Sequence, residues 1–282
     1  MIAFPNCKIN LGLNIIAKRT DGYHDLETVF YPLQLKDAVE IIQSEITNLS
    51  ISGLPVDGNA TDNLCIKAYH LLKNDFPDLP PVNIHLHKII PLGAGLGGGS
   101  SDGAFMLKLI NDKFNLQLSS DELLTYAKQL GSDCPFFILN KSSYATGRGE
   151  NLEEINLNLT GYKIIIIYPE IQINTGWAFS NIKPVIPAKS IKEIIKQSVS
   201  TWKEELKNDF ETPVFSKYPE IKKIKDNLYN AGALYSSMSG SGSSVFGIFN
   251  SSSSICFVKS DVIINILLYL LAVAFTFSNS HS

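Results

Sequence analysis

Between Val82 and His87 apolar and polar residues alternate. Val82, Ile84 and Leu86 fall on one side and Asn83, His85 and His87 on the other, the period-two pattern of a half-buried strand. Beyond it Phe105, Met106, Leu109, Ile110 and Phe114 recur at helical spacing, so strand, loop and helix follow in that order. The N-terminal segment FPNCKINLGLNI alternates in the same way, Ile9, Leu11, Leu13 and Ile15 against Lys8, Asn10, Gly12 and Asn14. Lys8 and Asn10 thus share one polar strand face, a pattern that an ordinary surface strand would also show. Residues 36–51 read as one or two strands of an antiparallel meander, and residues 62–73 as a helix with Leu64, Ala68, Leu71 and Leu72 on its apolar face. Residues 120–130 predict a short helix, opened by a Ser119/Glu122 capping box and closed by Gly131. Asp133 then precedes the apolar run Phe136 to Leu139, read as a buried strand with the acid at its mouth, either as a cap or poised for proton transfer.

The glycine-rich, charged stretch 143–155 reads as a boundary between a first domain, 1–155, and a second, 156–282. YKIIIIYP opens the second half as a buried strand. Residues 190–208 and 218–231 follow as helices, and SMSGSGSSVFGIF is a second glycine-serine loop running into a strand. Two bare-backbone loops in one chain are expected to close over one ligand.

The first of these loops, PLGAGLGGGSSDGA, carries the clearest chemistry. It has five glycines in the seven positions from Gly93 to Gly99, placed between a strand and a helix. That order sets free backbone N–H groups and a positive helix end where a phosphate can sit. Ser100 and Ser101 add hydroxyls. A P-loop would need Lys then Ser or Thr after its last glycine, and no Lys follows Gly99. Gly93 to Gly98 satisfies GxGxxG, but the acids at dinucleotide-binding distance, Asp121 and Glu122, belong to the capping-box helix. The VAIK, HRD and DFG signals of a protein kinase are missing.

Composition narrows the reading further. With 282 residues and 45% hydrophobic content the chain can fill two cores, and a net charge of -3 argues against a nucleic-acid-binding surface. Cys7, Cys65, Cys134 and Cys256 show no CxxC spacing and read as reduced cytosolic thiols. His85 and His87 share a strand face without a third metal ligand nearby in sequence. The end is unusual: a serine run, Ser251 to Ser254, precedes an almost wholly apolar stretch from Val262 to Phe277. This stretch is shorter than the roughly twenty residues needed to span a bilayer and is read as a buried element.

Taken together and in this order, PNCKINLGLNI, DGYHDLET, PLGAGLGGGSSDGA, GSDCPFF, ATGRGE and SMSGSGSSVFGIF resemble the GHMP small-molecule kinases. The superfamily loop reads PxxxGLGSSA. The extra glycines of GLGGGSS and the DGYH turn are similar to members that act on diphosphocytidyl-methylerythritol in non-mevalonate isoprenoid synthesis. The resemblance implies an α+β, two-domain fold: an N-terminal ribosomal-protein-S5-like domain, a C-terminal ferredoxin-like α/β sandwich, and ligands in the cleft between them. It implies transfer of the γ-phosphoryl of ATP to the 2-hydroxyl of that small-molecule substrate, with Mg²⁺ arriving on ATP and no dedicated metal-ligating residues. A cytoplasmic monomer or homodimer without nucleic-acid or membrane partners is expected.

Residue by residue, Asp133 matches the family's catalytic acid and Lys8 its partner lysine. Pro91, Gly93, Gly95, Gly97, Gly98, Gly99, Ser100 and Ser101 match the ATP phosphate site, and Lys88 a phosphate-contacting lysine. Asn10, Tyr23 and His24 match the substrate side, the last two near the cytidine, and Phe179 is similar in position to an aromatic that stacks on the cytosine. Two departures stand out. Gly103 replaces a more usual alanine and is expected only to loosen the helix start. After Phe249 the serine run and apolar tail replace a helix and strand. The alternatives are a mevalonate or homoserine kinase, for which the DGYH pair has no purpose, a nucleotide-binding protein made inactive by its altered end, and a nicotinamide oxidoreductase.

Overall fold

The computed structural model describes residues 1–56, 58–253 and 275–276. In chain order the strands and helices are β1 (Ile2–Ala3), β2 (Asn6–Lys18), β3 (His24–Lys36), β4 (Ala38–Gln43), β5 (Asn48–Gly53), α1 (Leu64–Asp75), β6 (Val82–Lys88), α2 (Gly98–Phe114), α3 (Ser120–Leu130), α4 (Cys134–Leu139), β7 (Ser143–Gly147), β8 (Asn151–Glu154) and β9 (Tyr162–Ile167). There follow α5 (Thr175–Ser180), α6 (Ile191–Ile194), α7 (Trp202–Glu205), α8 (Glu211–Lys217), α9 (Pro219–Asn230), β10 (Tyr235–Met238), β11 (Val245–Asn250) and β12 (Phe275–Thr276). They form three four-stranded sheets with the orders β2-β3-β7-β8, β1-β4-β6-β5 and β10-β11-β9-β12. The serine run beyond Ser253 and the apolar stretch from Val262 to Phe277 lie outside the described residues, apart from the two residues of β12. Among the described residues no helix is long and apolar enough to cross a membrane.

β2 and β3 pair antiparallel from Asn6 opposite Lys36 to Lys18 opposite His24. β2 carries a register shift between Leu11 and Leu13, where Gly12 adopts φ 70°. The expected polar face of β2 does not meet water. Lys8 and Asn10 are as buried as Ile9 and Leu11, because the glycine loop covers that side and the Lys8 N–H donates to Leu96 O at 3.0 Å.

In the second sheet β6 takes neighbours on both edges, β4 antiparallel and β5 parallel. The expected meander over residues 36–51 therefore does not form. α1 supplies the crossover that a parallel β5–β6 pair requires. The inward residues of β6, Val82, Ile84 and Leu86, share a core with Ala104, Met106 and Leu107 of α2. Gly103 is more than a weak start to that helix, since a Cβ there would lie 2.8 Å from Leu64 Cβ of α1.

Two further expectations change. Residues 136–139 form α4 rather than a strand, with Pro135 in its first turn and Asn140 closing it at φ 52°. A four-residue apolar run does not separate the two forms by periodicity, and burial against α2 and α3 decides. The helix expected over 190–208 is broken. α6 opens with a Ser190/Glu193 capping box, and the Ser198–Thr201 stretch turns as Thr201 Oγ1 bonds back to Ser198 O at 2.9 Å. By contrast, the Ser119/Glu122 capping box is present as read. A second core mixes early and late residues, placing Ile9, Leu11, Val29 and Leu33 with Ile164, Ile166, Trp202 and Phe246.

Candidate active site

The loop leading into α2 bends through Gly93, Gly95 and Gly97, all at φ between 67° and 78°. At Gly95 the bare backbone is also a packing requirement, for a Cβ would lie 2.0 Å from Ser239 O. Ser239 belongs to the second glycine-serine loop. Its hydroxyl donates to Gly95 O at 2.8 Å, and Ser244 N–H donates to Ala94 O at 3.1 Å. The two loops are thus in contact. Asn208 holds the second loop from behind, donating through Nδ2 to Met238 O at 2.8 Å and Gly240 O at 2.9 Å.

Lys8 reaches from β2 under the glycine loop. Its Nζ donates to Asn10 Oδ1 at 2.6 Å and Gly95 O at 3.2 Å, and lies 3.3 Å from Asp133 Oδ2. Asn10 is fixed in turn by donating through Nδ2 to Thr28 Oγ1 at 2.9 Å. Asp133 occupies the N-cap position of α4, yet its side chain makes no capping bond. That side chain is 33% exposed and faces Lys8 rather than the helix end.

These groups line a cleft of about 850 Å³. Its walls include Lys8, Asn10, Tyr23, His24, Pro91, Gly93, Gly95, Gly97, Gly98, Gly99, Ser100, Asp133 and Phe179. At one end His24 and Phe179 stack with centroids 5.0 Å apart and planes at 18°. This spacing is already van der Waals stacking, so the two rings leave no room for a third between them. Burial, with Lys18 adding, lowers the His24 pKa from its ordinary value. Arg148 lies over Tyr23, its Cζ 4.6 Å from the ring centroid, and lines the cleft together with Lys18. Within ATGRGE nothing local assigns Arg148 a role. The local signal is a cation set between Gly147 and Gly149, and only the fold brings it to Tyr23.

Lys88 and Ser101 are not brought into the cleft. Lys88 continues the inward parity of Val82, Ile84 and Leu86, so its side chain points into the core. There its Nζ donates to Asp37 Oδ2 and, at 2.7 Å, to Asp102 Oδ2, which corrects the expectation that it touches a phosphate directly. Ser101 is buried on the packed side of α2 and its Oγ has no hydrogen-bond partner. On the far side of the loop a second hollow of about 900 Å³ is lined by Gly53, Leu54, Pro55, Pro91, Leu92, Gly93 and Tyr168, among others. Sequence reasoning did not find it, since Gly53 to Pro55 and Tyr168 meet only through the fold.

Two family descriptions match the chain, GHMP kinases N terminal domain over residues 63–141 and GHMP kinases C terminal over residues 190–262. A 4-diphosphocytidyl-2-C-methyl-D-erythritol kinase of Bacteroides thetaiotaomicron is 56% identical over 253 residues, covering 88% of this chain and 92% of the relative. One of the same name from Parabacteroides distasonis is 52% identical over 249 residues, covering 88% and 92%. A crystal structure of 4-(cytidine 5'-diphospho)-2C-methyl-D-erythritol kinase is 31% identical, with TM-score 0.76 over 88% of this chain and 90% of that one. The Methanococcus jannaschii mevalonate kinase, 16% identical with TM-score 0.63 over 89% of this chain and 90% of its own, shares the fold alone. The chain belongs to the GHMP kinases and, among them, to the family of 4-diphosphocytidyl-2-C-methyl-D-erythritol kinases.

Proposed function

We propose that this kinase transfers the γ-phosphoryl of ATP to the 2-hydroxyl of 4-diphosphocytidyl-2-C-methyl-D-erythritol. The observation that carries the reading is the Lys8–Asp133 pair, 3.3 Å apart at the wall of a cleft whose other wall is the bare-backbone loop. Asp133 takes the proton of the attacking hydroxyl as its oxygen bonds to phosphorus and ADP leaves. Lys8, held by Asn10 and Gly95 O, orients that carboxylate and faces the charge that develops on the transferring group. The loop from Gly93 to Ser100 and the α2 N-terminus receive the phosphates, and the hollow beside Pro55 and Tyr168 the nucleotide base.

Tyr23, His24 and Phe179 form the cytidine end, with Arg148 and Lys18 as the cations nearest the substrate diphosphate. Mg²⁺ bound to ATP would neutralise phosphate charge, and Asp133 and Ser100 are among the residues lining the cleft whose side-chain oxygens could hold it. The free, buried thiols of Cys7, Cys65 and Cys134 suit a reducing compartment, and the reading places the enzyme in the cytoplasm.

The test is ADP release by the purified chain with ATP, Mg²⁺ and the cytidine substrate, beside mevalonate and homoserine. Release with the cytidine compound alone is expected. Release with either control instead would overturn the substrate assignment.

A further inference from the structure

Lys88 is buried to 1% exposure directly beneath the phosphate loop, and two carboxylates meet it there. Asp37, at the corner between β3 and β4, gives Oδ2 to the Lys88 ammonium, while its Oδ1 accepts the N–H groups of Ile89 at 2.5 Å and Ile90 at 2.8 Å. Ile89 and Ile90 are the residues that lead from β6 into the loop. Asp102, fifth residue of α2, takes the other side of the ammonium at 2.7 Å. The Lys88 amine also lies close under the first residue of α2, since a Cβ on Gly98 would stand 3.3 Å from Nζ. The Lys88 carbonyl is held as well, accepting Leu54 N–H at 2.9 Å.

We propose that Asp37 and Asp102, acting through Lys88, are positioning residues that set the glycine loop and the α2 N-terminus at the height ATP requires. The inference rests on reading residues 93–101 as the phosphate site. None of the three side chains touches the cleft where the reaction occurs. One cluster nevertheless fixes the entry to the loop, through Asp37, and its exit, through Asp102, and a hydrophobic cluster of the same volume would bond neither backbone N–H. Burial works against the Lys88 charge, and Asp102 and Asp37 together outweigh it, so its pKa is raised. Burial, with Asp37 adding and Lys88 opposing, raises the Asp102 carboxyl. A buried ionic cluster of this kind is a poor source of net stability but a strong constraint on geometry.

Asp102 meets Lys88 through Oδ2, and among the described residues its Oδ1 is buried without a hydrogen-bond partner. An amide should therefore replace its carboxylate, whereas at Asp37, where both oxygens accept, an amide sets its own donor against a donor. The experiment is steady-state kinetics on Asp37→Asn, Asp102→Ala and Asp102→Asn, with the ATP dissociation constant measured by titration calorimetry and folding checked by circular dichroism. Expected are a roughly tenfold or greater rise in both KM and Kd for ATP in Asp37→Asn and Asp102→Ala, with KM for the cytidine substrate within twofold. Asp102→Asn should restore ATP affinity to within about threefold of the unsubstituted chain. ATP constants within twofold in folded Asp37→Asn and Asp102→Ala, or equal rises for both substrates, would overturn the proposal. Should Asp37→Asn fail to fold, the two Asp102 variants decide by the same criteria. If the unsubstituted chain binds ATP but turns over no cytidine substrate, the substrate assignment fails while the ATP Kd series still tests the positioning role.

Discussion

Asp133 precedes α4 with helical backbone angles, φ -85° and ψ -16°, so its side chain is not placed to cap the helix, and its carboxylate turns to Lys8. Asp133→Asn keeps the shape and removes the proton acceptor. It should lower kcat by about a hundredfold or more with KM for ATP little changed. A loss no greater than that from Asp226→Asn, on the exposed side of α9, would remove Asp133 from the chemistry.

His24 gives a prediction in pH. Its pKa is lowered, by burial first and then Lys18, so the ring is neutral at pH 7 and stacks on Phe179 uncharged. A histidine with a depressed folded-state pKa contributes stability that is present above its ordinary value near 6.5 and lost as pH falls below it. KM for the cytidine substrate should therefore be flat from pH 8 to pH 6.5 and rise only in more acid solution, in step with the His24 ring resonances followed by NMR. A resonance midpoint above 6.5 would contradict the burial argument. The amide-for-acid swap at Asp133 and the histidine titration probe opposite ends of the cleft.

At the scale of elements, α2 shows how packing can oppose propensity. Alanine is favoured over glycine in a helix interior by about 1 kcal/mol, which would make Gly103→Ala stabilising. The added Cβ would lie 2.8 Å from Leu64 Cβ, and overpacking of that kind costs about 1–3 kcal/mol. The clash involves a Cβ rather than the far end of a flexible chain, so the second effect should win. Gly103→Ala is expected to destabilise by about 1–2 kcal/mol in urea unfolding. A more stable variant would show that α1 and α2 can separate at little cost.

The same contrast between local pattern and packing explains which elements were legible. α3 was readable because Ser119, Glu122 and Gly131 mark both of its ends. α4 was not, since Phe136 to Leu139 suits a strand or a helix until α2 and α3 close around it. β5 looked like the partner of β4, and the crossover through α1 placed it beside β6 instead.

For the whole molecule, the second core is the informative feature. It joins Ile9, Leu11 and Val29 of the first half to Ile164, Trp202 and Phe246 of the second. The division expected near residue 155 therefore separates segments that bury apolar surface against each other. Unfolding by urea, followed by tryptophan fluorescence and by far-UV circular dichroism, should give one coincident transition. Two separated transitions would mean that the halves hold themselves together independently. The contact between Ser239 and Gly95 makes the same link at the cleft, where the phosphate loop of the first half is braced by the second loop.

By itself the sequence determined the strand–loop–helix order from Val82 to Phe114, the capping of α3, and the motif set that places the chain among its relatives. Each of these is local, set by glycine freedom, side-chain capping or periodicity within a few residues. It also named part of the cleft wall, the glycine loop from its own composition and Lys8, Asn10, Tyr23, His24, Asp133 and Phe179 through resemblance. What the tertiary structure decided lies between distant segments: Asp133 against Lys8, Arg148 over Tyr23, Ser239 against Gly95, and Lys88 turned inward to Asp37 and Asp102. Strand parity already pointed Lys88 into the core, but a buried ammonium is tolerable only where carboxylates meet it. Those came from positions 37 and 102, which no pattern within the chain connects.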